Sequence, residues 1–116
     1  MRACALILGA AIAVGSAHAQ DAAEQARQLE ARGEAAKAGV LLRQAASGSA
    51  ASLSVLEAYA EFLDTHGSAD ARSAYEKVLA SLPRTGSPDA RLAATRRLVV
   101  LNLAQGDQAA AANYLR

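Results

Sequence analysis

The chain has 116 residues with 12 basic and 11 acidic side chains, and 53% of it is hydrophobic while only 3% is aromatic. A single cysteine excludes an internal disulfide, and the near-neutral charge argues against a nucleic-acid partner, which would need concentrated positive surface. Alanine, the best helix former, is abundant, and both prolines (Pro83 and Pro88) fall in one short gap, so the chain reads as helices almost to the exclusion of strands.

The amino terminus reads MRACALILGAAIAVGSAHAQ. Arg2 supplies a short positive region, Ala3 to Val14 form an uncharged apolar run, and Ala17-His18-Ala19 fits the small-x-small rule. Together they predict a signal peptide over residues 1–19, cleaved between Ala19 and Gln20, and a periplasmic or secreted location. The apolar run falls short of the roughly 20 residues that span a bilayer, so no membrane span is expected after cleavage. Cys4 lies at the front of the run, not at its end, and leaves with the signal. The remaining 97 of 116 residues hold no thiol for catalysis or zinc. They carry eleven basic and eleven acidic side chains, unevenly placed: residues 20–70 have four basic against eight acidic, and residues 71–116 seven against three. That polarity suits either the orientation of a partner, end-to-end stacking, or ordinary solvated helix faces.

Three glycines punctuate the chain at Gly33, Gly67 and Gly106, 34 and then 39 residues apart. Each suits a left-handed position after a helix, from which a tight turn enters the next helix. The first unit runs from about Asp21 to Ala46. Ala22, Ala26 and Leu29 share one face of its first helix, and Ala38, Leu41, Leu42 and Ala45 one face of its second. Ser47-Gly48-Ser49 breaks the chain. The second unit places Leu53, Leu56, Tyr59, Ala60 and Leu63 in its first helix. Ser68 is expected to cap its second helix, where Ala71, Tyr75, Val78, Leu79 and Leu82 form a buried stripe until Pro83 stops it. Ser87-Pro88-Asp89 combines a capping serine, a proline at the first helical position and an acid in the first turn, and so opens the next helix. That helix carries Leu92, Thr95, Leu98, Val99, Leu101 and Asn102 and ends at Gly106; the last runs from Asp107 to Arg116, against roughly fourteen residues in the helix before Pro83.

These residues resemble the tetratricopeptide repeat, a helix–turn–helix unit. The second unit carries the likeness best: Leu56, Tyr59, Ala60 and Leu63 in helix A, Gly67 at the turn, and Ala71, Tyr75, Val78 and Pro83 in helix B. Ala26, Leu29, Gly33, Ala38, Leu42 and Ala45 match in the first unit, and Leu98, Val99, Gly106, Ala111 and Leu115 in the third, where Asn102 stands in place of the usual aromatic or leucine. The family's tryptophan is missing, and a Sel1-like or divergent helical repeat shares the pattern. The resemblance implies an all-α, right-handed α-solenoid of antiparallel helix hairpins, with repeats over residues 20–48, 49–86 and 87–116, the last incomplete. It further implies a groove lined by helix A side chains. Position by position this groove takes Glu24 and Arg27 from the first unit, Glu57, Glu61 and Asp64 from the second, and Arg96 and Val100 from the third. The three acids of the second unit share a face at i, i+4, i+7, a patch suited to a basic peptide segment. The lysine and asparagine set with which some members clamp a terminal carboxylate is absent.

No motif of catalysis emerges from the residues. His66, the histidine left after cleavage, sits beside Gly67 at a helix C-terminus, where the dipole favours a cation. No serine stands in a nucleophile setting and no glycine-rich phosphate loop is present, so no cofactor or metal is expected. The expected function is a non-enzymatic scaffold of the bacterial envelope that binds a protein or peptide. The resemblance suggests exopolysaccharide or cellulose export, or another envelope assembly. The alternative is the recruiting arm of an exported enzyme whose catalytic domain lies beyond Arg116. Tyr114 and Leu115 near the terminus leave an open end suited to a further repeat, a partner or self-association.

Overall fold

A computed structural model describes the backbone of residues 15–83 and 88–116, and the side chains of 22–83 and 88–116. The charged and apolar regions of the predicted signal, the loop 84–87 and the capping role of Ser87 lie outside the described residues. Within them the fold is all-helical: α1 Gly15–Ala31, α2 Ala35–Ala46, α3 Leu53–Thr65, α4 Ala71–Ser81, α5 Pro88–Ala104 and α6 Gln108–Asn113. None of these helices is long and apolar enough to cross a membrane. The expected cleavage site after Ala19 falls within α1, which spans Gly15–Ala31.

One turn is built three times. Gly33, Gly67 and Gly106 have φ of 77°, 65° and 78°, a region that costs any residue with a Cβ about 1–2 kcal/mol. In each case the glycine N–H donates three residues back, to Glu30, Asp64 or Leu103 O, at 2.9–3.0 Å. The next residue, Glu34, Ser68 or Asp107, donates five residues back, to Leu29, Leu63 or Asn102 O, at 2.8–2.9 Å. This pair of bonds is the Schellman motif, which satisfies carbonyls that a helix end otherwise leaves bare. Ser68 departs from expectation: its Oγ accepts from Asp70 N at 3.2 Å within one further turn, and α4 begins at Ala71. The helix is therefore eleven residues long. It stops as Pro83 dictates, because Leu82, the residue before proline, is extended at ψ 129°.

The last helix is also shorter than the expected Asp107–Arg116. Asp107 caps it by accepting from Ala110 N at 2.9 Å. After Asn113 the chain tightens into three-residue turns (Tyr114 N to Ala111 O, Leu115 N to Ala112 O).

The helix pairs in contact are successive ones, α1–α2 through α5–α6, and in addition α1–α3. The apolar core follows the same order in two clusters. Ala26, Ala38 and Leu42 pack with Leu29, Leu41 and with Ala58, Tyr59 and Phe62 of α3. Ala60, Leu63, Ala71, Ala74, Val78 and Ala94 pack with Tyr59, Phe62, Tyr75 and Leu101, among others. Each cluster joins one hairpin to the first helix of the next, and Tyr59 and Phe62 belong to both. Not every expected core residue is inside: Leu92, placed on the stripe of α5 by periodicity, is 47% exposed.

Small residues set the helix spacing. A Cβ on Gly39 of α2 would meet Phe62 Cε1 of α3 at 2.9 Å, closer than real Cβ contacts come. The ring has little room to yield, because it also lies 4.4 Å, centroid to centroid, from His66. Alanine in a helix interior ordinarily gains about 0.5–1 kcal/mol over glycine. Here Gly39→Ala is expected to lose about 1 kcal/mol through overpacking. Urea unfolding checks this, and a Phe62→Leu background should turn the loss into a gain.

Candidate functional site

The first helix of each hairpin contributes one wall to a pair of clefts. Between α1 and α3 lies a cleft of about 140 Å³, lined among others by Ala23, Ala26, Arg27, Glu30, Glu61 and Thr65. Between α3 and α5 lies a larger one of about 450 Å³. Its walls are Glu57 and Glu61 on one side and Ala90, Ala93, Ala94 and Arg97 on the other, over Tyr75 and Val78 of α4. The difference follows from the packing: α1 touches α3, whereas no Cα of α5 comes within 8 Å of one in α3. The five extra residues between the second and third glycines fall mainly in α5, which has 17 residues against 13 in α3, and in the longer turn before α4.

A three-helix clasp spans the wide cleft at Asp64. Arg97 Nη2 donates to Asp64 Oδ1 at 2.7 Å, Arg97 Nε donates to Oδ2, and the Tyr75 hydroxyl donates to Oδ2 at 3.3 Å. Those guanidinium bonds hold the Asp64 carboxyl below its ordinary range, against the opposing effect of burial. Burial first, and the Asp64 charge second, push the Tyr75 phenol up to about 12. Since the folded value of Asp64 is lowered, its contribution to stability is present above an unfolded value near 4 and fades as the pH falls through the folded one.

Glu57 has the opposite sign. Burial, and then the neighbouring Glu61, raise its pKa. A raised folded value gives stability below the unfolded value near 4.3 and loses it as the pH rises, so ionised Glu57 opposes folding at neutral pH. Glu57→Gln is therefore expected to stabilise the chain by about 0.5 kcal/mol at pH 7, within the usual range for partly exposed sites. The gain should vanish below about pH 4, where Glu57 is neutral in both states; urea midpoints at the two pH values measure it.

Of the groove residues expected from the sequence, Arg27, Glu57 and Glu61 line the clefts, and Glu61 faces both. Asp64 lines neither cleft and is engaged in the clasp, bonded to Arg97 and Tyr75 of the wider one. Glu24 is exposed and pairs with Arg27 at 3.2 Å, outside the α1–α3 lining. Arg96 and Val100 are exposed and stand outside the α3–α5 lining, which the next residue, Arg97, joins instead. Arg97 and the alanines of α5 escaped the sequence reading because the position-by-position match to the repeat took Arg96 and Val100, and which face α5 turns toward the cleft is set by packing. The available signal was charge: Arg97 follows Asp64 by 33 residues, close to one repeat.

Comparison with family models, with curated proteins and with solved structures gives no match. The site is accordingly read from its own geometry.

Two interhelical networks hold the third hairpin. Asn102, 1% exposed, gives its amide to Leu98 O at 2.7 Å and accepts from Arg72 of α4 at 3.2 Å, so a polar group stands satisfied where an apolar one was expected. Arg91 of α5 donates to Leu82 O and Pro83 O at 3.2 and 3.3 Å, on the carbonyls that end α4. His66 closes the N-terminal side: its Nε2 lies 3.1 Å from Glu30 Oε1 of α1, an interhelical partner the sequence reading did not foresee. Among the described residues, no three His, Cys, Asp or Glu side chains converge as metal ligands.

Proposed function

We propose that the chain is an exported scaffold whose tetratricopeptide-like hairpins follow one another as a right-handed solenoid. The face formed by α1, α3 and α5 binds a segment of another protein in the bacterial envelope, without catalysis. The observation that carries this reading is the threefold Schellman turn at Gly33, Gly67 and Gly106, with each core cluster joining one hairpin to the first helix of the next. A unit that buries its apolar face only against its neighbour is the physical basis of repeat proteins. The α3–α5 cleft adds a concave, mostly apolar surface with few polar groups, the usual form of a binding site. Signal cleavage before Gln20 supplies the envelope location, and an exopolysaccharide or cellulose export assembly is one setting for such a scaffold.

A photo-crosslinking residue at Ala93 in the cleft tests the binding reading, with Gln44 on α2 as the control, in cells expressing the full chain. A discrete adduct from position 93 and none from 44 is expected. Equal labelling at both, or none at 93, contradicts the reading. N-terminal sequencing of the accumulated protein tests export, with Gln20 the expected first residue and a retained Met1 the contrary result.

A further inference from the structure

Charge accounting within the α3–α5 cleft narrows what it takes. Four side chains with polar ends line it: Glu57, Glu61, Tyr75 and Arg97. Arg97 gives two hydrogen bonds to Asp64, and the Tyr75 hydroxyl gives its proton to the same carboxylate. The cleft's cation and its hydroxyl proton are thus both spent inside the clasp. Glu57 and Glu61 form no ion pair and no side-chain hydrogen bond with any described residue within the distances that define the other pairs. The remainder of the surface, Val78, Ala90, Ala93 and Ala94, is apolar and small.

We propose that this cleft docks a peptide segment of a partner protein through a lysine or arginine held between Glu57 and Glu61, with small apolar neighbours of that residue lying on Val78 and the α5 alanines. The inference rests on the reading of the groove as a partner-binding face and names the chemistry of the partner. Two carboxylates one turn apart on α3, beside an apolar floor, match a cation on an aliphatic stem: the stem covers alanine surface while its head meets the acids. Water leaves both carboxylates when the peptide seats, so a bare charge arriving without such a stem gains less. An acidic segment is disfavoured because the guanidinium that would receive it already serves Asp64. Burial already penalises the ionised form of Glu57, with Glu61 adding to the effect, and an incoming cation relieves both.

The test uses the protein purified in the form in which it accumulates, labelled for NMR, and three acetylated and amidated nonapeptide pools. Their flanks are mixed Ala, Ser and Val, and their centres are fixed as Lys, Gln or Glu. The Lys pool is expected to shift the amides of Val78, Ala90, Ala93 and Ala94 and to bind at least about tenfold more tightly than the Gln pool, the value of roughly one good charged contact. Glu57→Gln/Glu61→Gln should remove that preference, and Arg96→Gln should leave it intact. Equal binding by the three pools sinks the charge inference while the groove reading stands. No shift in the cleft from any pool sinks both. The same shifts from 1 mM calcium chloride alone would reassign the acids to a metal and overturn the proposal.

Discussion

Leu98→Ala is expected to lower the unfolding free energy by about 3 kcal/mol, in the middle of the range for leucine truncation in a packed core. Leu98 is 0% exposed and shares the inner face of α5 with Ala94 and Asn102. Helix α5 brings its backbone close to α4 and α6 and reaches α3 only through side chains such as Arg97, so little else can compensate for a cavity there. The carbonyl of Leu98 also receives the Asn102 amide, and a shift of the backbone around a cavity would loosen the bridge to Arg72 as well. Against a total stability of about 5–15 kcal/mol for an ordinary domain, that loss is large. It corresponds to a fall in Tm of roughly 12–24 °C at this chain length. Leu103→Ala on the same helix, where the side chain is 53% exposed, should change stability by less than about 0.5 kcal/mol. Circular dichroism of the two variants on heating distinguishes a packed inner face from a helix held merely by its termini.

Adding volume is expected to do comparable damage where the helices meet through alanine. Ala60 of α3 is 0% exposed and packs with Leu63 against Ala71, Ala74 and Val78 of α4 and Ala94 of α5. Leucine adds three carbons at a site with no exposed surface, and Ala60→Leu should lose about 3 kcal/mol, the upper end for overpacked cores. The same substitution at the exposed Ala31 of α1 should be nearly neutral. Chemical denaturation measures both. A loss at Ala60 no greater than at Ala31 would mean that the hairpin is not packed at alanine distance.

The alanine spacing also explains how much of the fold could be seen beforehand. The glycines at 33, 67 and 106 mark the helix ends because only a residue without Cβ enters their backbone region freely, and that requirement is written locally. Pro83 and Pro88 bound the α4–α5 gap for equally local reasons. Gly39, by contrast, looks like an ordinary weak point in α2, and its purpose emerges only when Phe62, from another helix, lies against it. Asn102 looks misplaced in an apolar stripe until Arg72 supplies its partner. On the α3–α5 cleft, Glu57 and Glu61 share a wall because one helix fixes their common face, a relation visible in their spacing. The opposite wall was not visible in the spacing, because the face α5 turns toward α3 is set by packing across 33 residues of sequence, and Arg97, not Arg96, lines it.

The charge asymmetry along the chain has a spatial reading as well. The first hairpin is balanced, with Asp21, Glu24, Glu30 and Glu34 against Arg27, Arg32, Lys37 and Arg43. The acidic excess of residues 20–70 resides in Glu57, Glu61 and Asp64 of α3 and in Asp70 at the start of α4. Of these, Glu57 and Glu61 line the α3–α5 cleft, Asp64 is paired with Arg97, and Asp70 lines a different pocket with Arg43 and Lys77, so the charge left for recognition in the cleft is that of Glu57 and Glu61.

A charge-swap cycle on the clasp decides most directly whether the first helices of successive hairpins face one another over a shared cleft. Asp64→Arg and Arg97→Asp alone should each cost about 1–2 kcal/mol, a modest figure because Arg97 is 44% exposed and partly screened. Combined, the two should recover at least about 1 kcal/mol of the summed loss, as expected for side chains in direct contact. Losses that merely add would place α3 and α5 apart and remove the groove from this protein.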